Sequence, residues 1–213
     1  MAKLKEFIDI ANTKLGCGYA WGGIFDKILT KEELQRLVNV FGKEHYYFNG
    51  YSVEKHLGKY SGDCSDLILY SLRKLGLIKP TEDYTAQGIF DKFCRPVTKS
   101  ELKAGDLVFT KGTKEIVHIG ICLGANRVLH ARSTFYGVCN TQLFDSFNVF
   151  GRLKFFENEA EVINPTIEES INLLMEKTVN IITDKQKWID KASKDKDVYW
   201  LIVKAASKFK KVI

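Results

Sequence analysis

Cys64 stands in the stretch Asp63-Cys64-Ser65-Asp66-Leu67-Ile68, where a polar segment gives way to an apolar-striped helix. The thiolate is the nucleophilic form of cysteine, and a free thiol is mostly protonated at neutral pH. Two devices lower a cysteine pKa: the N-terminal end of a helix and a neighbouring histidine. Asp63 is a cap-type residue directly before Cys64, so the first device is written into the local sequence. The same helix end carries backbone N–H groups without helical partners, which can hold the oxyanion of a tetrahedral intermediate. The second device is His118, in Val117-His118-Ile119-Gly120-Ile121. Strand alternation turns His118 to the face opposite Val117 and Ile119, so it is expected to face a cleft while they face the core. His130, in Val128-Leu129-His130-Ala131, falls on the next strand. It can orient His118 through a hydrogen bond, the third role in a nucleophile–base–orienter set.

These residues need a scaffold, and the periodicity supplies one. Leu4, Phe7, Ile8, Ala11 and Leu15 recur at helical spacing, and Gly16 stops that helix. Thr30-Lys31-Glu32-Glu33 has the form of a capping box and opens a second helix striped by Leu34, Leu37, Val38 and Phe41. A short helix is predicted at 52–56. The Cys64 helix is predicted to run to Leu75 and stop at Gly76, burying Leu67, Ile68, Leu72 and Leu75. Another short helix covers 87–93. After the turn Lys103-Ala104-Gly105-Asp106 the period changes to two, which predicts strands at 107–110, 116–123, 127–131 and 149–156. An acidic, Asn- and Pro-containing joint at 157–165 follows. Beyond it the pattern is purely helical: three short amphipathic helices are predicted within 166–213, able to share a small core.

Composition narrows the function classes. A hydrophobic content of 45% suffices for a packed core. The net charge of +6 and a pI near 8.9 favour an anionic partner or surface. The basic residues are scattered, with a short solvated cluster at Lys208, Lys210 and Lys211, so no nucleic-acid stripe is evident. Five cysteines without paired spacing argue against a disulfide framework. Cys17, Cys94, Cys122 and Cys139 read as small buried hydrophobes. His45 and His56 read as surface or packing residues, and Trp21 with its glycines as a tight turn. No C-x-x-C or H-x-x-x-H spacing marks a zinc site, and thiol chemistry needs neither metal nor cofactor. No apolar run approaches the ~20 residues that span a bilayer. The N-terminal stretch has no unbroken apolar core, so no signal peptide is expected, and synthesis is expected in the host cytoplasm.

The ordered set Tyr19-Ala20-Trp21-Gly22-Gly23, Asp63-Cys64-Ser65, Ala104-Gly105-Asp106-Leu107-Val108-Phe109, His118-Ile119-Gly120-Ile121-Cys122-Leu123-Gly124 and His130-Ala131 resembles the NlpC-type cell-wall cysteine peptidases over about residues 1–156. The resemblance implies an α+β, papain-like domain in which N-terminal helices pack on an antiparallel sheet. It implies cleavage of an amide in the peptidoglycan stem peptide, commonly between D-glutamate and the following diamino acid. Carried over residue by residue, it makes Cys64 the nucleophile, His118 the general base and His130 the orienting residue. Tyr19 would shape the oxyanion and substrate site, and Asp63 and Ser65 would border the pocket for the stem peptide's free amine.

The chain departs from that family at two places. Asp66 stands where the family usually has glycine. Two residues along a helix turn it away from the Cys64 thiol, so its expected role is favourable charge in the first helical turn; a sharper expectation is that its negative potential near the cleft raises the thiol pKa or favours a basic substrate group. The stretch between Gly23 and Asp63 is longer than in short members, an insertion of about 24–61 beside the cleft. Its Tyr46-Tyr47-Phe48 run suits a small core more than a sugar platform. The C-terminal words Ser170-Ile171-Asn172-Leu173-Leu174-Met175, Val179-Asn180-Ile181-Ile182 and Trp188 resemble, more loosely, a helical module of clostridial and phage wall hydrolases. That resemblance implies wall attachment or a homodimer contact. The sequence thus points to a phage or prophage endolysin, or a tail-associated lysin, acting on bacterial peptidoglycan. Its rivals are an N-acetylmuramoyl amidase or acyltransferase with the same thiol, and a non-catalytic tail or wall-binding protein.

Overall fold

The computed structural model describes residues 3–48 and 50–157, with Ile189 and Ile202 beyond them. The chain divides into two compact units, Met1–Val162 and Ile163–Ile213. The joint after Glu157 and, but for those two isoleucines, the three helices expected in 166–213 lie outside the described residues.

In the first unit, α1 (Lys3–Asn12) buries Leu4, Phe7, Ile8 and Ala11 on one face. It ends before the expected Leu15, which is 47% exposed. The buried residue is instead Lys14, whose Nζ donates to the Phe25 carbonyl at 3.0 Å and lies over the rings of Tyr60 and Tyr70. After the two-residue strand β1 (Gly18–Tyr19) comes α2 (Lys31–Phe41). Thr30 Oγ1 caps it by accepting from the Glu33 N–H at 3.2 Å. The Glu33 carboxylate turns to Arg36 and Lys27, so the expected capping box is only half made. The hairpin strands β2 (Tyr47–Phe48) and β3 (Tyr51–Ser52) lead to a 3₁₀ turn at Val53–His56, where a helix was expected. Next, β4 (Ser61–Gly62) pairs in parallel with β1 and delivers the chain to α3 (Cys64–Lys74).

Leu67, Ile68, Leu69 and Leu72 of α3 are fully buried. Gly76, at φ +67, closes the helix with its N–H on the Arg73 carbonyl at 3.0 Å. α4 (Ala86–Phe93) follows, capped by Thr85.

The sheet has six strands, all antiparallel, in the order β5 (Cys94–Pro96), β10 (Val149–Leu153), β6 (Leu107–Lys111), β7 (Ile116–Gly124), β8 (Arg127–Ser133), β9 (Gly137–Gln142). One face carries Phe109, Ile119 and Ile121, all fully buried, and Phe90 of α4 meets Phe109 edge-on at 5.2 Å. The other face carries Val108, Cys122 and Val128, closed over by Phe147 from the loop before β10. Two strands, β5 and β9, were not predicted. Both are edges: one holds Pro96, and the other reads Val-Cys-Asn-Thr-Gln without apolar alternation. The expected strand at 149–156 ends at Leu153 and continues as a 3₁₀ turn.

The insertion has its own core. Leu29, Leu34, Leu37, Tyr46 and Val53 cluster with Ala20, which precedes the insertion. Of the aromatic run, Tyr46 lies within this core at 1% exposure and Tyr47 packs against it, while the Tyr46 hydroxyl donates to the Trp21 carbonyl at 2.8 Å.

Candidate active site

Cys64 begins α3 and is 7% exposed. Asp63 organises the turn that presents it. Its Oδ1 accepts from the Asp66 N–H at 2.9 Å and from the Ser65 hydroxyl at 2.7 Å, and its Oδ2 accepts from the Gly22 N–H at 3.1 Å. The Gly18–Gly23 segment is thereby tied to the helix start. Ser65, expected at the amine pocket, has its hydroxyl committed to Asp63. The Asp63 Oδ2 has a single donor among the described residues and keeps accepting capacity.

The electrostatics of Cys64 differ from the expectation. Burial, reinforced by the Asp63 carboxylate, pushes its thiol up to about 12. The amides of Ile119, Ser65 and Cys64 itself face the sulfur and pull the other way, but less. The helix start supplies donors as expected, and desolvation outweighs them. Tyr19 lies within the field of Cys64 and Asp63, and burial holds its hydroxyl protonated well above the ordinary phenol range. The protonated hydroxyl keeps its capacity to donate.

His118 and His130 come together as expected. They sit on adjacent strands, β7 and β8, with His118 Nε2 and His130 Nδ1 2.8 Å apart. Of the two neighbours expected to face the core, Ile119 is fully buried whereas Val117 is 53% exposed. The ladder between β6 and β7 slips at Thr110/Lys111, next to the His118 pair. Burial, with the Arg132 guanidinium adding to it, pushes His118 down to about 4. Burial, then His118 and Arg132, push His130 down to about 3. Both rings are neutral at pH 7. Among the described residues no hydrogen bond joins the Cys64 thiol to His118; the sulfur faces the amide of Ile119, one residue along.

Three neighbours were not read from the sequence. Thr141 Oγ1 lies 3.1 Å from His130 Nε2. Phe147 packs on both histidine rings, at 5.9 and 5.6 Å between centroids. Arg132 lies over the rings of Tyr136 and Phe144. All three depend on β9 and its flanking loops, the strand that has no apolar period.

Asp66 stands in the first turn of α3, as expected, but its carboxylate does not bear on the thiol. It is 3% exposed, accepts from the Phe25 N–H at 2.6 Å and pairs with Arg73. The carboxylate that bears on the thiol is that of Asp63; Asp66 pins the root of the insertion to α3. The remaining cysteines are free: Cys94 and Cys122 are buried as expected, whereas Cys17 and Cys139 are half-buried. His56 is buried, with Nε2 2.8 Å from the Thr134 carbonyl, and His45 stacks on the partly exposed Trp21 at 5.0 Å.

A thiol at a helix start beside an antiparallel sheet that carries a hydrogen-bonded histidine pair has the layout of a papain-like cysteine-peptidase domain. The model of the NlpC/P60 family matches residues 42–147. Among solved structures the chain is similar to the P60 domain of an M. avium subspecies paratuberculosis antigen, at 18% identity and a TM-score of 0.49, covering 70% of this chain and 93% of that one. It is similar to the peptidoglycan hydrolase RipB from Mycobacterium tuberculosis, at 20% identity and a TM-score of 0.48, covering 70% of this chain and 64% of that one, under two thirds of its length. It is also similar to RipD from Mycobacterium tuberculosis, a non-catalytic NlpC/p60 domain protein adapted to peptidoglycan binding, at 15% identity and a TM-score of 0.50, covering 71% and 98%. No curated protein matches the chain. Among the described residues no helix is long and apolar enough to cross a membrane.

Proposed function

We propose that this protein hydrolyses peptidoglycan, cleaving a stem-peptide amide of the D-glutamyl–diamino acid type with Cys64, His118 and His130. The observation that carries this reading is the 2.8 Å His118–His130 pair, standing next to the Ile119 amide that faces Cys64. His118 spends Nε2 on His130 and keeps Nδ1 for proton transfer. Thiol and imidazole both rest neutral, so the proton moves when the substrate engages. Cys64 Sγ attacks the amide carbon as its proton passes to His118 Nδ1. The oxyanion is held by first-turn N–H groups of α3 and by the Tyr19 hydroxyl. Collapse expels the amine, which takes its proton from His118, and water then releases the acyl group from sulfur. Asp63, with capacity left on Oδ2, receives a free amine of the stem peptide.

The role as a phage or prophage endolysin, acting on the bacterial wall from the host cytoplasm, rests on the C-terminal resemblance. The same resemblance supports wall attachment or homodimerisation through 166–213. Digestion of purified peptidoglycan, read by mass spectrometry, tests the function. New D-glutamyl and diamino-acid termini are expected, and Cys64→Ala should abolish them. Released lactyl-linked peptides would indicate an amidase, and transferred peptides an acyltransferase. The second reading, a wall-binding protein without catalysis, is favoured by the buried thiol near 12. It predicts wall pull-down without new termini.

A further inference from the structure

Arg132 is the extra residue of a β-bulge. Across β8 and β9, Ala131 pairs with Val138 and Ser133 with Gly137, so Arg132 has no opposite number. A bulge of this kind re-aims a side chain out of the strand's regular alternation. The guanidinium carbon lies 3.8 Å from the centre of the Tyr136 ring and 5.1 Å from that of Phe144. Two rings thus fix the position of a cation that has no hydrogen bond and no carboxylate partner among the described residues. Phe144 stacks in turn on Phe147, at 6.4 Å and 7° between planes, and Phe147 touches both His118 and His130. The charge is close enough to the histidines to act on each of them. Tyr136 and Phe144 are 50% and 37% exposed, so the seat opens to solvent.

An arginine held against aromatic faces keeps its planar fork of N–H donors available, and that fork matches a carboxylate in a bidentate pair. Most surface arginines achieve this by pairing with an acidic neighbour; this one is positioned by rings and left unpaired. We infer that Arg132, seated on Tyr136 and Phe144, is a subsite for a free carboxylate of the substrate next to the scissile amide. The inference rests on the proposed hydrolysis of stem peptides, which carry carboxylates that are free in some walls and amidated in others. In this arrangement Asp63 meets the substrate's amine and Arg132 its carboxylate, so the cleft reads charge of both signs.

The test uses two synthetic stem peptides that differ only in that carboxylate, free in one and amidated in the other. The full chain should cleave the free acid about 10- to 100-fold better in kcat/KM, the range expected for a hydrogen-bonded charge pair. Arg132→Gln should remove the preference by slowing the free acid alone, and Arg132→Lys should retain part of it. Equal cleavage of the two peptides by the full chain, or a preference that survives Arg132→Gln, overturns the inference while leaving the hydrolase reading intact. If neither peptide is cleaved, the hydrolase reading fails. Calorimetric binding to the Cys64→Ala protein then decides on Arg132: tighter binding of the free acid upholds the subsite, and equal or absent binding overturns it.

Discussion

The Thr141 hydroxyl lies 3.1 Å from His130 Nε2 and donates to the Gln142 carbonyl at 3.0 Å. With its proton spent there, Thr141 accepts the His130 Nε2–H. His130 Nδ1 is then the lone-pair nitrogen and accepts from His118 Nε2–H across 2.8 Å. This network assigns the tautomers and leaves His118 Nδ1 unprotonated, the form a general base requires.

Thr141→Val should therefore lower kcat by about tenfold, in the range of a lost general-base alignment, with little change in KM. Thr141→Ser, which keeps the hydroxyl, should restore most of the rate. Loss of activity in both variants alike would assign Thr141 a packing role only.

The pH dependence follows from the two buried imidazoles. His118 must be neutral to accept a proton, and it is held down to about 4. The acid limb of kcat/KM should lie near 4, well below the ordinary histidine value of about 6.5. A limb near 6.5 in stopped assays across pH 3–8 would contradict this.

Stability should respond as well. In the unfolded chain the two histidines take up protons as pH falls through about 6.5, while in the fold they wait until about 4 and 3. The unfolded state binds protons first, so stability is lost as pH falls from about 6.5 towards 4. Asp66, raised to about 6 by burial, acts with the opposite sign, because the folded chain protonates it first. Asp63, raised by burial, acts with Asp66, and His56, lowered by burial, acts with the other two histidines; the three depressed histidines outweigh the two raised carboxyls. Urea midpoints should drop between pH 7 and 4.5, and His118→Gln should flatten that slope; an unchanged slope argues against the linkage.

Asp66→Asn should cost about 2 kcal/mol, because it removes the charge facing Arg73 within a buried pair. Arg73 keeps Asp26 at 3.5 Å, which limits the loss. The pH–rate profile should stay where it was, since the carboxylate bearing on Cys64 is Asp63. Denaturant titration and the profile together check this. A displaced alkaline limb would return Asp66 to the thiol.

Tyr46→Phe removes the 2.8 Å bond to the Trp21 carbonyl and should cost about 1 kcal/mol. Trp21 precedes Gly22, the donor to Asp63, so KM should rise more than kcat falls. Steady-state kinetics with purified wall fragments would reveal the split. A kcat effect alone would mean that the loop does not position substrate.

The candidate nucleophile and the two histidines were legible because residue type and period agree: a cap before Cys64, and two strands of period two carrying His118 and His130. The contact between the histidines followed once those strands were neighbours. Thr141 was not legible, because β9 has no apolar alternation to announce a strand. Arg132 was not legible because the predicted strand stops at 131, whereas β8 runs through a one-residue bulge to Ser133. The partners of Asp66 were not legible, because Phe25 lies forty-one positions upstream and Arg73 two helical turns on. The thiol's direction of shift was misread for an energetic reason: a helix start offers a few dipoles, and burial removes far more solvation than they return.

The bulge also has a consequence for chain length. Since Ala131 and Val138 already face each other, as do Ser133 and Gly137, shortening β8 by the single residue Arg132 would bring those pairs into consecutive rungs. The hairpin tip would stay closed by the same three residues, and Val128 would still face Thr141. The ladder does not need Arg132. A one-codon deletion there is the rare case of an in-frame loss that should heal a sheet rather than break it, taking away a charge and leaving the histidines where they were.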